Sequence, residues 1–426
     1  MHLILRGDQH RPAVVDSSVI VPVRNRGGLG ELGLLTPCYA AEEDRSLSPV
    51  VSGDYRRTRI PPEKYVIETN PENANGVSPP ESPLLDRSVR IDDGAVWILD
   101  RRVFPGLIEW VRADTAQEVA IAIRDMVTQS SGPMFAVTAG MELTATQLTG
   151  LPLDEARSTL AEAGRALSAA RPTNNHPREA VEAVLAATVD ASTTGELREL
   201  AVSAARAHAA RYRARSRTLG EHTVALLDDG ARVLTHCWMD TYLIELVRVA
   251  TEQGKTFEWV TTETRPYLQG ARLTSHTLRE MHQRVTLITD GMGAAALSPG
   301  SSLGTIDALV TAADRVSLDG SVVNKVGTLG LAIAANTFDV PFYALVQTPD
   351  RLAVTGADIV IEQRDPVEVL LTLGVRTASD LVTEAWYPAF DVTPPRFVTG
   401  VVTDRGMFAP DELARYFDSE SQAATS

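Results

Sequence analysis

Two apolar runs, residues 231–237 (Ala-Arg-Val-Leu-Thr-His-Cys) and 306–314 (Ile-Asp-Ala-Leu-Val-Thr-Ala-Ala-Asp), set the pattern of the C-terminal half. Their apolar and β-branched residues come without strict alternation, as in strands buried on both faces of a parallel sheet. Further strand-like runs follow at 257–262, 285–289, 341–346 and 358–361, with helical spacing between most of them. Strands alternating with helices predict right-handed crossovers and a doubly wound parallel sheet.

From Asp93 to about Gly220 the period is helical instead. A short strand at 95–99 meets a turn at Pro105-Gly106, and helical segments follow at 116–127, 153–170, 178–188 and 194–217. The last is rich in Ala and Arg, both strong helix formers. Residues 70–83, dense in Pro and Asn, hold too little apolar surface to order strongly and read as a linker. The expected organisation is an extension over 1–90, β-rich or partly ordered, a helical domain over 91–220, a sheet domain over 221–410 and a tail over 411–426.

At 426 residues, 44% apolar and 22% charged, the chain is an ordinary globular protein with room for two domains. A net charge of −15 opposes binding to nucleic-acid phosphates or anionic lipid, so neither partner is expected. No apolar run is long enough to span a membrane, and the start lacks a full signal-peptide core. With only Cys38 and Cys237, a disulfide framework is not expected and a cysteine-based metal site is excluded. No metal is expected from the eight His residues either, and a reduced, cytoplasmic setting would leave a thiol available. No Gly-x-Gly-x-x-Gly follows the first strand of the sheet, so no cofactor is expected.

Ligands of open α/β sheets bind at the carboxyl ends of the strands, where Cys237 and Asp314 fall. A thiol and a carboxylate at one sheet edge are the groups a proton-transfer enzyme needs. On spacing alone, a lone Cys at a strand end is more often a small buried hydrophobe. Asp314 has its own structural alternative, an ion pair with Arg315 or Lys325.

Several strings are too specific to come from the fold alone: Leu234-Thr-His-Cys237, Glu263-Thr-Arg-Pro266, Leu268-Gln-Gly-Ala-Arg-Leu-Thr274, Ala313-Asp-Arg315, Asn324-Lys-Val-Gly-Thr328 and Pro388-Ala-Phe-Asp-Val-Thr-Pro394. With Val96-Trp-Ile-Leu-Asp100 and Ala170-Arg-Pro-Thr173 upstream, they resemble the methylthioribose-1-phosphate isomerase family over roughly residues 95 to 410. That family is related to ribose-1,5-bisphosphate isomerase and to the regulatory subunits of eukaryotic translation initiation factor 2B. The resemblance implies a helical N-terminal domain, a Rossmann-like C-terminal domain, a homodimer, and conversion of a ribose 1-phosphate into a ribulose 1-phosphate. Methylthioribose 1-phosphate, a metabolite of methionine salvage, is the default substrate.

By the same resemblance Cys237 and Asp314 match the catalytic pair, and Arg171, Gln269, Asn324 and Lys325 match positions that hold the sugar and its phosphate. A 1-phosphorylated furanose is a locked acetal, so its ring oxygen must be protonated while hydrogen moves between C2 and C1. Asp314 is expected to stay protonated in an apolar pocket as the acid, and Cys237 to shuttle the C2 proton. Asn324-Lys325 reads otherwise as a helix start, itself favourable to an anion. Arg265 and Arg272 read equally as core-bridging ion pairs, and Asp391 as a structural cap.

The chain departs from the family at several points. Cys237 is followed by Trp238-Met-Asp-Thr-Tyr242 rather than by small residues, and Trp238 offers an apolar face to the C5 side of the sugar. The family's Arg-Gly-Ala-Pro string becomes Gln129-Ser-Ser-Gly-Pro133, which removes a phosphate-binding arginine; Arg101 or Arg102 are candidates to replace it. Ala313 stands where the family has Gly, and 298–304 lengthens the loop ahead of the second apolar run. Two other readings remain open: a non-catalytic sugar-phosphate or nucleotide sensor, and an interaction scaffold built on the extension.

Overall fold

The structure, a computed structural model, describes residues 64–67, 82–171 and 174–418. Most of the expected extension lies outside the described residues. The part that is described begins a four-stranded antiparallel sheet of β1 (Tyr65–Ile67), β2 (Val89–Asp92), β3 (Ala95–Leu99) and β4 (Glu109–Ala113), in the order β1-β4-β3-β2. A single turn, α1 (Pro83–Asp86), precedes β2. Asp93 and Gly94 join β2 to β3 with φ of 48° and 68°, as a two-residue hairpin with positive φ at both positions requires. The expected helical domain is therefore fronted by a sheet.

Five helices follow: α2 (Ala116–Arg124), α3 (Gly132–Gln147), α4 (Leu153–Ala169), α5 (Asn175–Ala187) and α6 (Thr194–Val224). Thr115, Asn174 and Thr193 cap α2, α5 and α6, each side chain accepting a backbone N–H of the first turn. Helix α3 was not legible as an amphipathic pattern because twelve of its sixteen residues are buried, which leaves no polar stripe. Helix α6 runs seven residues past the expected end at 217, about 46 Å in all.

The chain then alternates through β5 (Arg232–Thr235), α7 (Thr241–Glu252), β6 (Glu258–Thr262), a π-helical turn (Gly270–Thr274) running into α8 (Ser275–Glu280), β7 (Arg284–Ile288), α9 (Gly293–Leu297) and β8 (Ala308–Ala312). After β9 (Arg315–Val316), β10 (Val322–Lys325) and α10 (Thr328–Thr337) come β11 (Phe342–Leu345) and α11 (Val367–Leu370). The chain continues through β12 (Leu371–Thr372), β13 (Val375–Arg376), β14 (Phe390–Thr393), β15 (Gly400–Thr403) and β16 (Gly406–Phe408). The main sheet has seven strands in the order β16-β15-β11-β8-β5-β6-β7, parallel except for β16 at one edge. Helix α6 packs along α7, where a Cβ on Gly220 would meet the Leu246 backbone at 3.0 Å; only glycine permits that approach.

Successive strands from β5 step one way to β6 and β7, and from β8 the other way to β11 and β15. The order reverses between β5 and β8, the kind of position where doubly wound sheets bind ligands. A second, three-stranded antiparallel sheet, β14-β10-β9, begins one residue beyond Asp314.

Two expectations fail here. Residues 358–361 form no strand: Gly356–Asp358 is a 3-10 turn closed by a Thr355–Asp358 capping box, and Val360 is exposed while Ile359 is buried. The strand that continues the sheet beyond β11 is β15. The long loop at 298–304 lies before β8, where Arg232 at the start of β5 donates to Thr305 O (3.2 Å). It sits at the amino edge of the sheet, opposite the strand ends that carry Cys237 and Asp314. Residues 411–418, expected to begin a tail, lie in a 3-10 helix, Pro410–Phe417, that buries Leu413 and Tyr416.

Candidate active site

Strand β5 ends at Thr235, and the next two residues are pinned from three sides. His236 is fully enclosed and bonded at both nitrogens: Nε2 lies 2.9 Å from Val326 O and Nδ1 2.6 Å from Thr262 Oγ1. A carbonyl only accepts, so Nε2 carries the hydrogen and Nδ1 accepts from the threonine. Burial holds the imidazole below its ordinary pKa and so neutral. Cys237 follows in the left-handed region, φ 68°, at a cost of about 1–3 kcal/mol. Its N–H donates to Thr264 Oγ1 (3.0 Å), and its carbonyl accepts from Thr274 Oγ1. These bonds tie the strained residue to the loop after β6.

Asp314 lies two residues past β8, the immediate neighbour of β5. Its N–H donates to Val323 O (2.9 Å), which starts the small sheet. Arg315 pairs with Asp350, so the proposed Asp314–Arg315 ion pair is not formed. Burial pushes the Asp314 carboxyl up, against the pull of Lys325 and then Arg171. Burial also pushes the Cys237 thiol up to about 12, with Lys325 opposing. Lys325 itself is pushed down by burial and held up by Cys237 and Asp314. Thiol, carboxyl and ammonium therefore form one mutually interacting group.

Asn324 and Lys325 close β10, a buried strand, rather than opening an exposed helix. Asn324 Nδ2 donates to Thr328 Oγ1 (3.0 Å), and Lys325 Nζ sits 4.7 Å from the centre of the Phe390 ring. The N-terminus of α10 is already occupied. Asp391 of β14 accepts from the N–H groups of Gly327 (2.7 Å) and Leu329 (3.1 Å), so it is the cap it was expected to be and this helix end is not the anion site. Gly327 has φ 110°, and a Cβ there would come within 2.9 Å of the His236 ring.

One cavity is lined by Cys237, Trp238, Asp314, Arg171, Gln269, Asn324 and Lys325 together. Cys237 and Asp314 thus face one cavity together with Trp238 and the candidate sugar-phosphate residues. Met126 and the Gln129-Ser130 string also line it, as do three residues missed in the sequence, His176, Tyr212 and Tyr242. The last three come from α5, α6 and α7, and nothing in their local spacing marks them. Among the described residues three buried polar atoms of the lining have no hydrogen-bond partner: Gln129 Nε2, Gln269 Oε1 and Trp238 Nε1. Two donors and one acceptor left over in a closed space suit a ligand that carries hydroxyl groups.

The other arginines do not fill the gap left at residue 129. Arg101 is buried and bonded to Asp240 (2.7 Å), Gln129 O (2.8 Å) and Ser88 Oγ (2.8 Å). Arg102 is engaged by Asp100 and by Asp125 O, and neither arginine lines the cavity. Arg272 binds the carbonyls of Arg101, Phe104 and Tyr267, and Arg265 those of Val369 and Leu371. Both bridge segments of the fold.

The initiation factor 2 subunit family matches residues 127–410. A methylthioribose-1-phosphate isomerase of Chloroflexus aurantiacus is 36% identical, over 79% of this chain and 99% of its own. A 5-deoxyribose 1-phosphate isomerase of Moorella thermoacetica is 34% identical, over 78% and 97%. The solved 5-methylthioribose 1-phosphate isomerase of Pyrococcus horikoshii superposes with a TM-score of 0.69 at 29% identity, covering 79% of this chain and 96% of that one.

Proposed function

This chain belongs to the initiation factor 2 subunit family and is a sugar-phosphate isomerase within it; we propose that its substrate is a ribose 1-phosphate modified at C5, such as methylthioribose 1-phosphate, and its product the ribulose 1-phosphate. The observation that carries this reading is the convergence of Cys237, Asp314, Lys325 and Arg171 on one cavity that also holds unpaired donors and an acceptor for hydroxyls. The curated relatives matched at 34–36% identity over three-quarters of the chain are named isomerases, which favours this reading over the sensing one.

The Asp314 carboxyl, pushed toward its protonated form, gives its proton to the ring oxygen, and the bond from that oxygen to C1 breaks. The C2 hydrogen moves with its electron pair to the cationic C1. The proton of the C2 hydroxyl returns to Asp314, so the acid is restored and no proton is drawn from solvent. This differs from the proton shuttle expected of Cys237. Burial pushes the Cys237 thiol up and so disfavours the thiolate that a resting base would need. Its sulfur, kept uncharged by burial, contributes a polarisable surface beside the reacting carbons. Lys325 and Arg171 supply charge for the phosphate.

Asp314→Asn keeps the shape of the site and removes the acid. The expected loss in kcat is about 10²–10⁴-fold, read as ketose formed from methylthioribose 1-phosphate. Turnover at the wild-type rate would remove Asp314 from the chemistry.

We further propose a homodimer, since the most exposed apolar side chains, Leu352, Val360, Leu381 and Trp386, concentrate in residues 352–386.

A further inference from the structure

We propose that Arg364 replaces the missing phosphate arginine at residue 129, so that Arg171 and Arg364 together clamp the anion; this rests on the sugar-phosphate reading above. Arg364 is not among the residues lining the cavity but reaches it at Met126, whose sulfur is approached by two guanidinium groups, Arg171 Nη1 at 2.6 Å and Arg364 Nη2 at 3.1 Å. A thioether is a weak acceptor, and two like charges turned toward one neutral atom repel each other. Such an arrangement is stabilised when an anion takes the place between them. Planar guanidinium forks suit the oxygens of a phosphate.

The charges around the pair point the same way. Arg364 acts on both Arg171 and Lys325 as a like charge, so three cations share one region of the site. Among the carboxylates facing them, Glu362 Oε1 lies 3.1 Å from Arg364 Nε, Glu368 acts on Arg364 and Lys325, and Asp391 acts on Lys325. Asp314, another acid there, is pushed toward its neutral form. Three cations gathered on one side of the site suit an anion such as a phosphate monoester.

Arg364 is also held in place by its backbone. Its N–H donates to Tyr387 O (2.9 Å), beside the bridge between Gln363 and Pro388, and its side chain is largely buried at 15% exposure. The segment that failed to form a strand at 358–361 leads directly into this position. Gln129, in the position of the lost arginine, instead meets Gln269, whose Nε2 donates to Gln129 Oε1 (3.3 Å).

The test uses the full chain with inorganic phosphate as probe, measured both by calorimetry and as an inhibitor of turnover. Arg364→Gln is expected to weaken phosphate binding by roughly 10- to 100-fold and to raise KM for methylthioribose 1-phosphate by a similar factor, with kcat changing less. Arg364→Lys, which keeps the charge but not the fork, should fall between. Adding Gln129→Arg to Arg364→Gln should restore part of the phosphate affinity. Unchanged phosphate affinity in both single variants overturns the proposal, as does an equal loss in Arg364→Gln and Arg364→Lys with no recovery in the double variant. Phosphate binding that depends on Arg364 in a protein that turns over no ribose 1-phosphate would refute the isomerase reading and leave the anion clamp standing.

Discussion

At the scale of single residues, the site is built from groups that the fold makes expensive. Cys237 sits in a left-handed conformation, and Asp314 is half-buried at the carboxyl end of β8 with its carboxyl pushed toward the neutral form. Both residues were legible in the sequence because each ends a buried-strand pattern inside a family string. Lys325 and Gln269 were legible only through the resemblance, since their local spacing carries no signal. His236 was read only as part of a string; that it is neutral and bonded at both nitrogens depends on Thr262 and Val326, 26 and 90 residues away. The Asp314 shift has a consequence for stability. Its folded pKa lies above its unfolded one, so the native state holds the extra proton and stability falls as pH rises through that interval. Asp314→Asn, which cannot ionise, should therefore melt at a higher temperature than wild type above that interval while losing activity. A melting temperature lowered at neutral pH would contradict the burial argument.

At the scale of elements, β5, β6, β7, β8 and β11 were legible to within two residues, because burial leaves a continuous apolar run, whereas β15 was missed and 358–361 was read as a strand it does not form. The Asp93-Gly94 hairpin was missed although this dipeptide is a strong turn signal, since β2 is short and half exposed and so lacks clear alternation. Helix α3 was missed for the opposite reason, uniform burial. Helix α10 is held by a cap from another strand, and this cap titrates. Burial pushes Asp391 up to about 6, with the Gly327 and Leu329 N–H groups pulling the other way. The native state thus binds the extra proton between about pH 4 and 6, and stability falls across that window. Asp391→Asn keeps an accepting oxygen and removes the ionisation. It should match wild type at pH 4 and exceed it at pH 7 by up to about 3 kcal/mol in denaturant unfolding. Lower stability at pH 7 would show that the carboxylate charge, rather than its hydrogen bonds, holds the helix.

At the scale of the whole molecule, the reversal of strand order between β5 and β8 does what no single motif does: it brings the sulfur and the carboxyl to neighbouring strand ends. The alternation of strands and helices predicted a doubly wound sheet, but the position of that reversal is a matter of long-range pairing that local sequence does not encode. The helical domain then closes the cavity with Arg171, Gln129 and Met126. Assembly is tested by its exposed apolar residues. Trp386→Asp should convert a dimer into monomers in light scattering coupled to size exclusion, and an unchanged mass would move the interface away from 352–386.

The central claim is that this cavity moves hydrogen from C2 to C1 of a ribose 1-phosphate without drawing it from water. The most direct measurement is NMR of the product formed in ordinary water from methylthioribose 1-phosphate deuterated at C2. The account predicts a ribulose 1-phosphate carrying the deuterium at C1. A ketose with that deuterium replaced by hydrogen from solvent, or no ketose at all, would contradict it.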